Sequence, residues 1–380
     1  MDKSTNAPEL DPQRQARAKE YARLSRRAYV AGLALSAIVM VLALVVNPAR
    51  AIVAFTGGAA MPYLPVALYF VLLLVVFEVV QLPLSIYTGY TLPHRFDLSV
   101  ETFGAWVRDQ LKGSAIGLVF GLILLEVVYS LLANFPTYWW LIAAAVMLLF
   151  TVVMANLSPI LIAPLFYKFR PLADEELARR LSDLAERAGA RVRGVYVMDM
   201  SRRTRAANAA LMGLGNTRRI VLGDTLLDNY PPDEIEVILA HELGHHAHGD
   251  IVKGIAVNTG VTLLSFWLAD LALGWGAAQL GLTGLADPAG LPLLGVVLGA
   301  VSLLAMPLTN GFTRAMEANA DRYALETTGK PQAFLASMIR LANQNLADAF
   351  PPRWVEVLLY DHPSIGDRLA MARSYMKSGR

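Results

Sequence analysis

The chain has 380 residues, of which 55% are hydrophobic and 17% charged, a composition that argues against an ordinary water-soluble enzyme. A net charge of +2 creates no basic field, so no nucleic-acid partner is expected. Cysteine is absent, which excludes disulfides and thiolate metal sites; a bound metal must use nitrogen and oxygen ligands, with six histidines to supply the nitrogen.

Six apolar runs are long enough to cross about 30 Å of hydrocarbon, which takes about 20 helical residues. They lie near 28–46, 64–86, 113–133, 138–163, 251–275 and 291–313. The first is long, lacks a small-residue cleavage site and is followed by further spans, so it reads as a retained anchor and not a signal peptide. Pro83 and Pro159 fall in or at the ends of spans and predict kinks there. Glu78, Glu126, Asp270, Gln81, Asn156 and Asn258 lie inside spans, where polar groups are costly unless they face protein or water.

Lys and Arg are one-sided. The stretches 1–27, 87–112, 164–250 and 314–380 hold seven, three, twelve and nine of them, 31 of the 33 in the chain. Cytoplasmic flanks retain positive charge. The expected order is thus a cytoplasmic N-terminal tail (1–27), four spans within 28–163 with a cytoplasmic loop 87–112, and a cytoplasmic catalytic segment (164–250). Two spans within 251–313 and a cytoplasmic C-terminal segment (314–380) follow.

Within 164–250 the composition becomes that of a soluble domain. Residues 171–189 predict an amphipathic helix with Leu177, Leu181 and Leu184 on one face. Residues 192–200 and 218–227 predict strands, paired as a hairpin or small sheet around the Gly213 and Gly215 turn signal. Residues 231–250 then read as one helix, opened by Pro231 or Pro232 with Asp233 and Glu234 in its first turn.

That helix carries His241-Glu242-Leu243-Gly244-His245. Histidines at i and i+4 share a face and can reach one Zn²⁺, while Glu242 can take a proton from the water that the ion activates. A chance match is expected in roughly one chain in a hundred of this length. The competing reading is a His-rich surface helix; His246 and His248, on other faces, are read as solvated or supporting. A catalytic zinc needs one more protein ligand. Glu317 and Asp321, one helical turn apart after the sixth span, suit it: Glu317 as the ligand and Asp321 as a carboxylate accepting a hydrogen bond from a ligand histidine. An ordinary charged helix face would look the same.

HELGHH (241–246), EANAD (317–321), NAALMGLGNTRRIVLGDTLL (208–227) and DHPSIGDRL (361–369), interleaved with spans, resemble the integral-membrane zinc metallopeptidases of the type I CAAX prenyl protease class. SPILIAPLFYKFRPL (158–172) and LPHRFDLS (92–99) resemble family segments as well, so the likeness runs over about 90–370 and suggests a bacterial member. It implies an α-helical polytopic membrane protein, about six transmembrane helices forming a chamber, with an α+β zinc metallopeptidase domain of the HExxH type. It also implies one Zn²⁺ per chain, an inner or cell membrane location with the site on the cytoplasmic side, and a peptide or protein substrate, membrane-associated or lipid-modified. By position it assigns substrate contact to Asn208 and Arg368 and oxyanion stabilisation to His362, which on residue grounds alone reads as a capping residue before Pro363. Two departures stand out: Ala210 replaces the aromatic usual after the Asn-Ala pair, and six spans replace the seven of eukaryotic members.

The expected reaction is metal-assisted peptide hydrolysis with His241, His245 and Glu317 as ligands, Glu242 as base, and the strand at 218–224 aligning an extended substrate by edge pairing. A stress-type quality-control protease would use the same chemistry on damaged membrane proteins. A transporter or channel would leave HELGHH unexplained, and a silent zinc scaffold would leave Glu242 without a task.

Overall fold

The computed structural model describes residues 8–57, 63–213 and 215–378; the first seven residues of the expected tail and Leu214 of the Gly-rich turn lie outside them. Asp11 opens the first helix by accepting from the Gln13 and Arg14 amides, and Pro12, which needs no amide partner, takes its first position. This helix, α1 (Pro12–Val46), runs unbroken from the basic stretch into the first span. α2 (Leu64–Ile86), α3 (Phe103–Asn134, capped by Thr102) and α4 (Trp139–Leu157) follow. Four residues beyond Pro83 and around Pro159 the helices widen into π-helical turns, at Tyr87–Thr91 and Ser158–Ile162.

The soluble part begins with strand β1 (Phe169–Pro171) and the amphipathic α5 (Glu175–Arg187), capped by Asp174. Three more strands, β2 (Val195–Met198), β3 (Ala209–Met212) and β4 (Arg219–Gly223), complete a four-stranded sheet of order β1-β2-β4-β3. The two strands expected to pair do so, in parallel and not as a hairpin, because β3 intervenes and adds antiparallel to the far side of β4. The expectation that 218–224 offers a free edge is therefore wrong: β4 is bonded on both sides, and the edge strands are β1 and β3.

Pro232 starts α6 (Pro232–Ala247), which Gly249 ends at φ +66°, so that α7 (Asp250–Gln279) sets off in a new direction. α8 (Leu291–Thr328) is the last span and continues past it until Gly329 caps it. α9 (Pro331–Gln344), α10 (Arg353–Leu359) and α11 (Ile365–Lys377) close the chain. Among the described residues six helices, α1 to α4, α7 and α8, are long and apolar enough to cross a membrane.

Two large cores divide the molecule, with a small third cluster of Ala18, Leu92, Phe96 and Leu346. One, around Leu181, Ile220, Leu222, Leu239 and Phe334, joins α5, the sheet, α6 and α9. The other, around Tyr69, Trp139, Phe266 and Leu273, lies between spans, whose outer faces leave Val45, Leu304 and Leu308 bare. In a bilayer that bare surface meets lipid. Three of the six polar residues expected inside the spans, Asp270, Glu78 and Gln81, tie helices together. Trp139 Nε1 donates to Asp270 at 2.6 Å, Ser114 to Glu78 at 3.1 Å, and Gln81 to the Gly32 carbonyl and Ser36 at 2.9 Å each. Asn156 bonds its own helix at Val152, and Glu126 has both carboxylate oxygens buried without a partner.

Candidate active site

α6 and α8 cross at Gly244. A methyl group there would stand 2.9 Å from Ala320 Cα, so glycine is what lets the two backbones approach. That approach brings the carboxylates of α8 under the imidazoles of α6. His241 Nε2 lies 3.2 Å and His245 Nε2 3.3 Å from Glu317 carboxylate oxygens, and the ligand atoms of all three fall within 4.8 Å of one another. The two rings stand at 90°, centroids 4.9 Å apart.

The other ring nitrogens are held from behind. His241 Nδ1–H donates to Asp321 at 2.8 Å, and Arg368 braces Asp321 in turn through Nε at 2.8 Å and Nη2. His245 Nδ1–H donates to Asp250 at 3.0 Å, and Asp250 is paired with Lys253 at 3.0 Å. Each carboxylate holds its ring through Nδ1 and so turns Nε2 toward Glu317, the arrangement by which ligand histidines are oriented in metal sites. Asp250 is the participant that sequence reasoning missed.

Burial works against charge on His241, but Asp321 and Glu317 outweigh it and push the imidazole up to about 9. His245 moves upward against the same opposition, through Glu317 and Asp250. Burial raises the Glu242 carboxyl above its ordinary range. Among the described residues Glu317 pairs with three imidazoles and with no Lys or Arg, and its Oε2 is buried without a hydrogen bond. Once a metal displaces their protons, the two Nε2 atoms and the anionic oxygen, converging with one carboxylate oxygen orphaned, form a donor set that fits a divalent transition metal.

His362 reaches the same carboxylate, Nε2 to Glu317 Oε1 at 3.3 Å, while its Nδ1 pairs with Asp361 at 2.8 Å. Arg368 is buried and bonded to Asp321. Asn208 is exposed at the head of β3, and its carbonyl accepts from the Gly223 amide at 2.9 Å. Glu242, His362, Asn208 and Arg368 line one cavity of about 610 Å³, within the range of ligand sites. His246 turns away toward the Gly189 carbonyl, and His248 packs beside Tyr323.

The model of Peptidase family M48 matches residues 171–376, which span both histidines, Glu317 and the C-terminal elements of the site. The chain belongs to peptidase family M48. A second family model, described as CAAX prenyl protease N-terminal, five membrane helices, matches residues 4–168. In that stretch this M48 chain has four membrane-length helices among the described residues, with a seven-residue helix, Ala49–Phe55, between the first two.

Among similar proteins, "Uncharacterized metalloprotease YhfN" of Bacillus subtilis is 32% identical over 81% of this chain and 72% of its own length. "Probable CAAX prenyl protease 1" of Schizosaccharomyces pombe is 27% identical over 77% of this chain and 62% of its own. The crystal structure of S. mikatae Ste24p superposes with a TM-score of 0.82 at 25% identity, over 97% of this chain and 91% of that one. The M48 chain is thus a multi-pass membrane metallopeptidase of the CAAX prenyl protease type, an enzyme that hydrolyses peptide bonds.

Proposed function

We propose that one Zn²⁺ per chain is held by His241, His245 and Glu317, that Glu242 is the general base, and that the site faces the cytoplasm of a bacterial cell. The convergence of two Nε2 atoms and one carboxylate within 4.8 Å, with both Nδ1 atoms braced by acids, carries this reading. When bound, the ion supplies Lewis-acid polarisation of the scissile carbonyl and acidifies the attacking water. Glu242 takes the water proton and returns it to the leaving nitrogen; burial favours the protonated form it must pass through. His362 has Nδ1–H engaged by Asp361, so donation from Nε2 to the oxyanion requires the imidazolium.

Asp321 and Arg368 act through His241: the guanidinium is committed to Asp321, which makes Arg368 a positioning residue in this reading. Asn208 and the open edge of β3 take the extended substrate backbone, whose amides complete the ladder. The cavity lies between α6 and the part of α1 that precedes its apolar span, which suits a membrane-associated or lipid-modified peptide. Zinc analysis of the purified protein, with cleavage of an unbiased peptide library before and after chelation, tests the reading. Zinc near one per chain and cleavage lost on chelation are expected; chelator-resistant cleavage would overturn it.

A further inference from the structure

The cavity that holds Glu242 has a wall that the hydrolytic groups do not use. It comes from α1, where Tyr21, Ser25 and Arg26 face inward. Arg23 and Arg27 on the same helix are exposed, as basic residues at the mouth of a span are when they reach toward water and headgroups. Arg26 turns the other way. Its Nη1 is buried without a hydrogen-bond partner, and the side chain makes no ion pair among the described residues. A buried donor on a fixed charge is costly to leave unmatched, so it marks a place where an acceptor belongs.

The rest of the cavity narrows the choice of acceptor. Leu226, Ile238, Met338 and Ile365 make much of its lining apolar, which suits aliphatic side chains. Its other cation, Arg368, is committed to Asp321. Asp348, also on the wall, accepts the Phe350 amide and forms no ion pair with Arg26. A planar guanidinium with open donors matches a carboxylate in particular. We propose that Arg26 is a specificity-determining residue of this enzyme, binding a substrate carboxylate, foremost the free C-terminal one, in the cavity that contains Glu242. The proposal rests on the hydrolytic reading of that cavity and adds to it the residue that receives the carboxylate, Arg26 on α1.

Binding is measured in a Glu242→Gln background, so that no turnover is needed. Three fluorescent peptides serve as probes: one ending Ala-Leu-Leu as the free acid, the same peptide as the C-terminal amide, and an amide with an internal Glu. The acid is expected to bind about tenfold or more tighter than the plain amide, the value of a charge-assisted hydrogen bond. Arg26→Gln should bring that ratio to within about twofold of one, and Arg26→Lys should restore part of it. A preference for the internal-Glu peptide that Arg26→Gln abolishes keeps the carboxylate and moves it to a side chain. Equal loss for acid and amide, or a ratio that Arg26→Gln leaves intact, overturns the proposal. Zinc content and thermal unfolding of each variant show whether the fold has survived, and chelator-resistant cleavage by the unmodified protein would defeat the hydrolytic reading separately.

Discussion

At the level of single residues the proposed site separates ligands, base and braces, and each should respond differently to substitution. Glu242→Gln removes a proton acceptor but no ligand, so metal content should persist while turnover falls by about 10²–10⁴. Metal analysis beside peptide hydrolysis checks this, and wild-type turnover would remove Glu242 from the reaction. Asp321→Asn and Asp250→Asn leave the ligands in place but weaken what orients them, so metal affinity should drop about 10–100-fold in each, measured by competition with a chelator. The pairs His241 and His245, and Glu317 and Asp321, were legible in the sequence because i, i+4 spacing puts each pair on one helix face, and Glu242 because it sits in the His-Glu-x-x-His motif. Asp250 was not. Five residues beyond His245, it would lie on another face of a continuous helix; only the left-handed Gly249 folds it back onto the ring.

At the level of elements, what decides the site is how closely α6 and α8 pack. Gly244→Ala puts a methyl group against Ala320 backbone, which cannot move as a flexible side chain would. A cost of about 1–3 kcal/mol in stability and weakened metal binding are expected, seen as a lower melting temperature and earlier loss of zinc to chelator. The start of α6 is anchored by charge: Glu236 is buried between Arg180 of α5 and Lys330 beyond α8, and Asp233 joins both. Lys330 and Arg180 hold Asp233 below its ordinary range; Glu236 is lowered by the same pair against the opposing effect of burial. Depressed carboxyls contribute stability above their unfolded values, about 3.9 and 4.3, and lose it as pH falls through the folded ones. Melting temperatures should therefore drop below about pH 4, and Lys330→Met should reduce this cluster's share of the acid loss; an unchanged acid slope would mean that it contributes nothing. The amphipathic α5 and the β2 and β4 strands were readable from periodicity. Their parallel pairing was not, because a three- to five-residue strand carries no register signal of its own, and the four-residue β3 that fills the outer side of β4 has no alternation long enough to stand out.

For the whole molecule, charge decides which side of the membrane should hold the soluble domain. Six spans put both termini on one side, together with the stretch between α4 and α7. With 31 of 33 basic residues in those parts, that side should be the cytoplasm. The charges that count most are those within about 15–20 residues of span ends, since long domains cross largely regardless of charge. These agree: Arg23, Arg26 and Arg27 precede the apolar part of α1, and Lys168 and Arg170 follow α4, whereas the stretch between α7 and α8 has no basic residue. The structure adds that the basic N-terminal part of α1 is docked on the soluble domain, with Asp11 N–H donating to Asn343 at 3.1 Å and Arg14 to the Asn343 carbonyl at 2.9 Å, so the two must share a side. The absence of cysteine lets a single introduced thiol report its location without background. An impermeant maleimide added to intact cells should label Gln279→Cys, exposed at the end of α7, and should reach Asp183→Cys on α5 or Ser378→Cys only after permeabilisation. Labelling of Asp183→Cys in intact cells, with Gln279→Cys protected, would invert the orientation and move the His241, His245 and Glu317 cluster to the outer face, where substrates would have to be exported before they were cut.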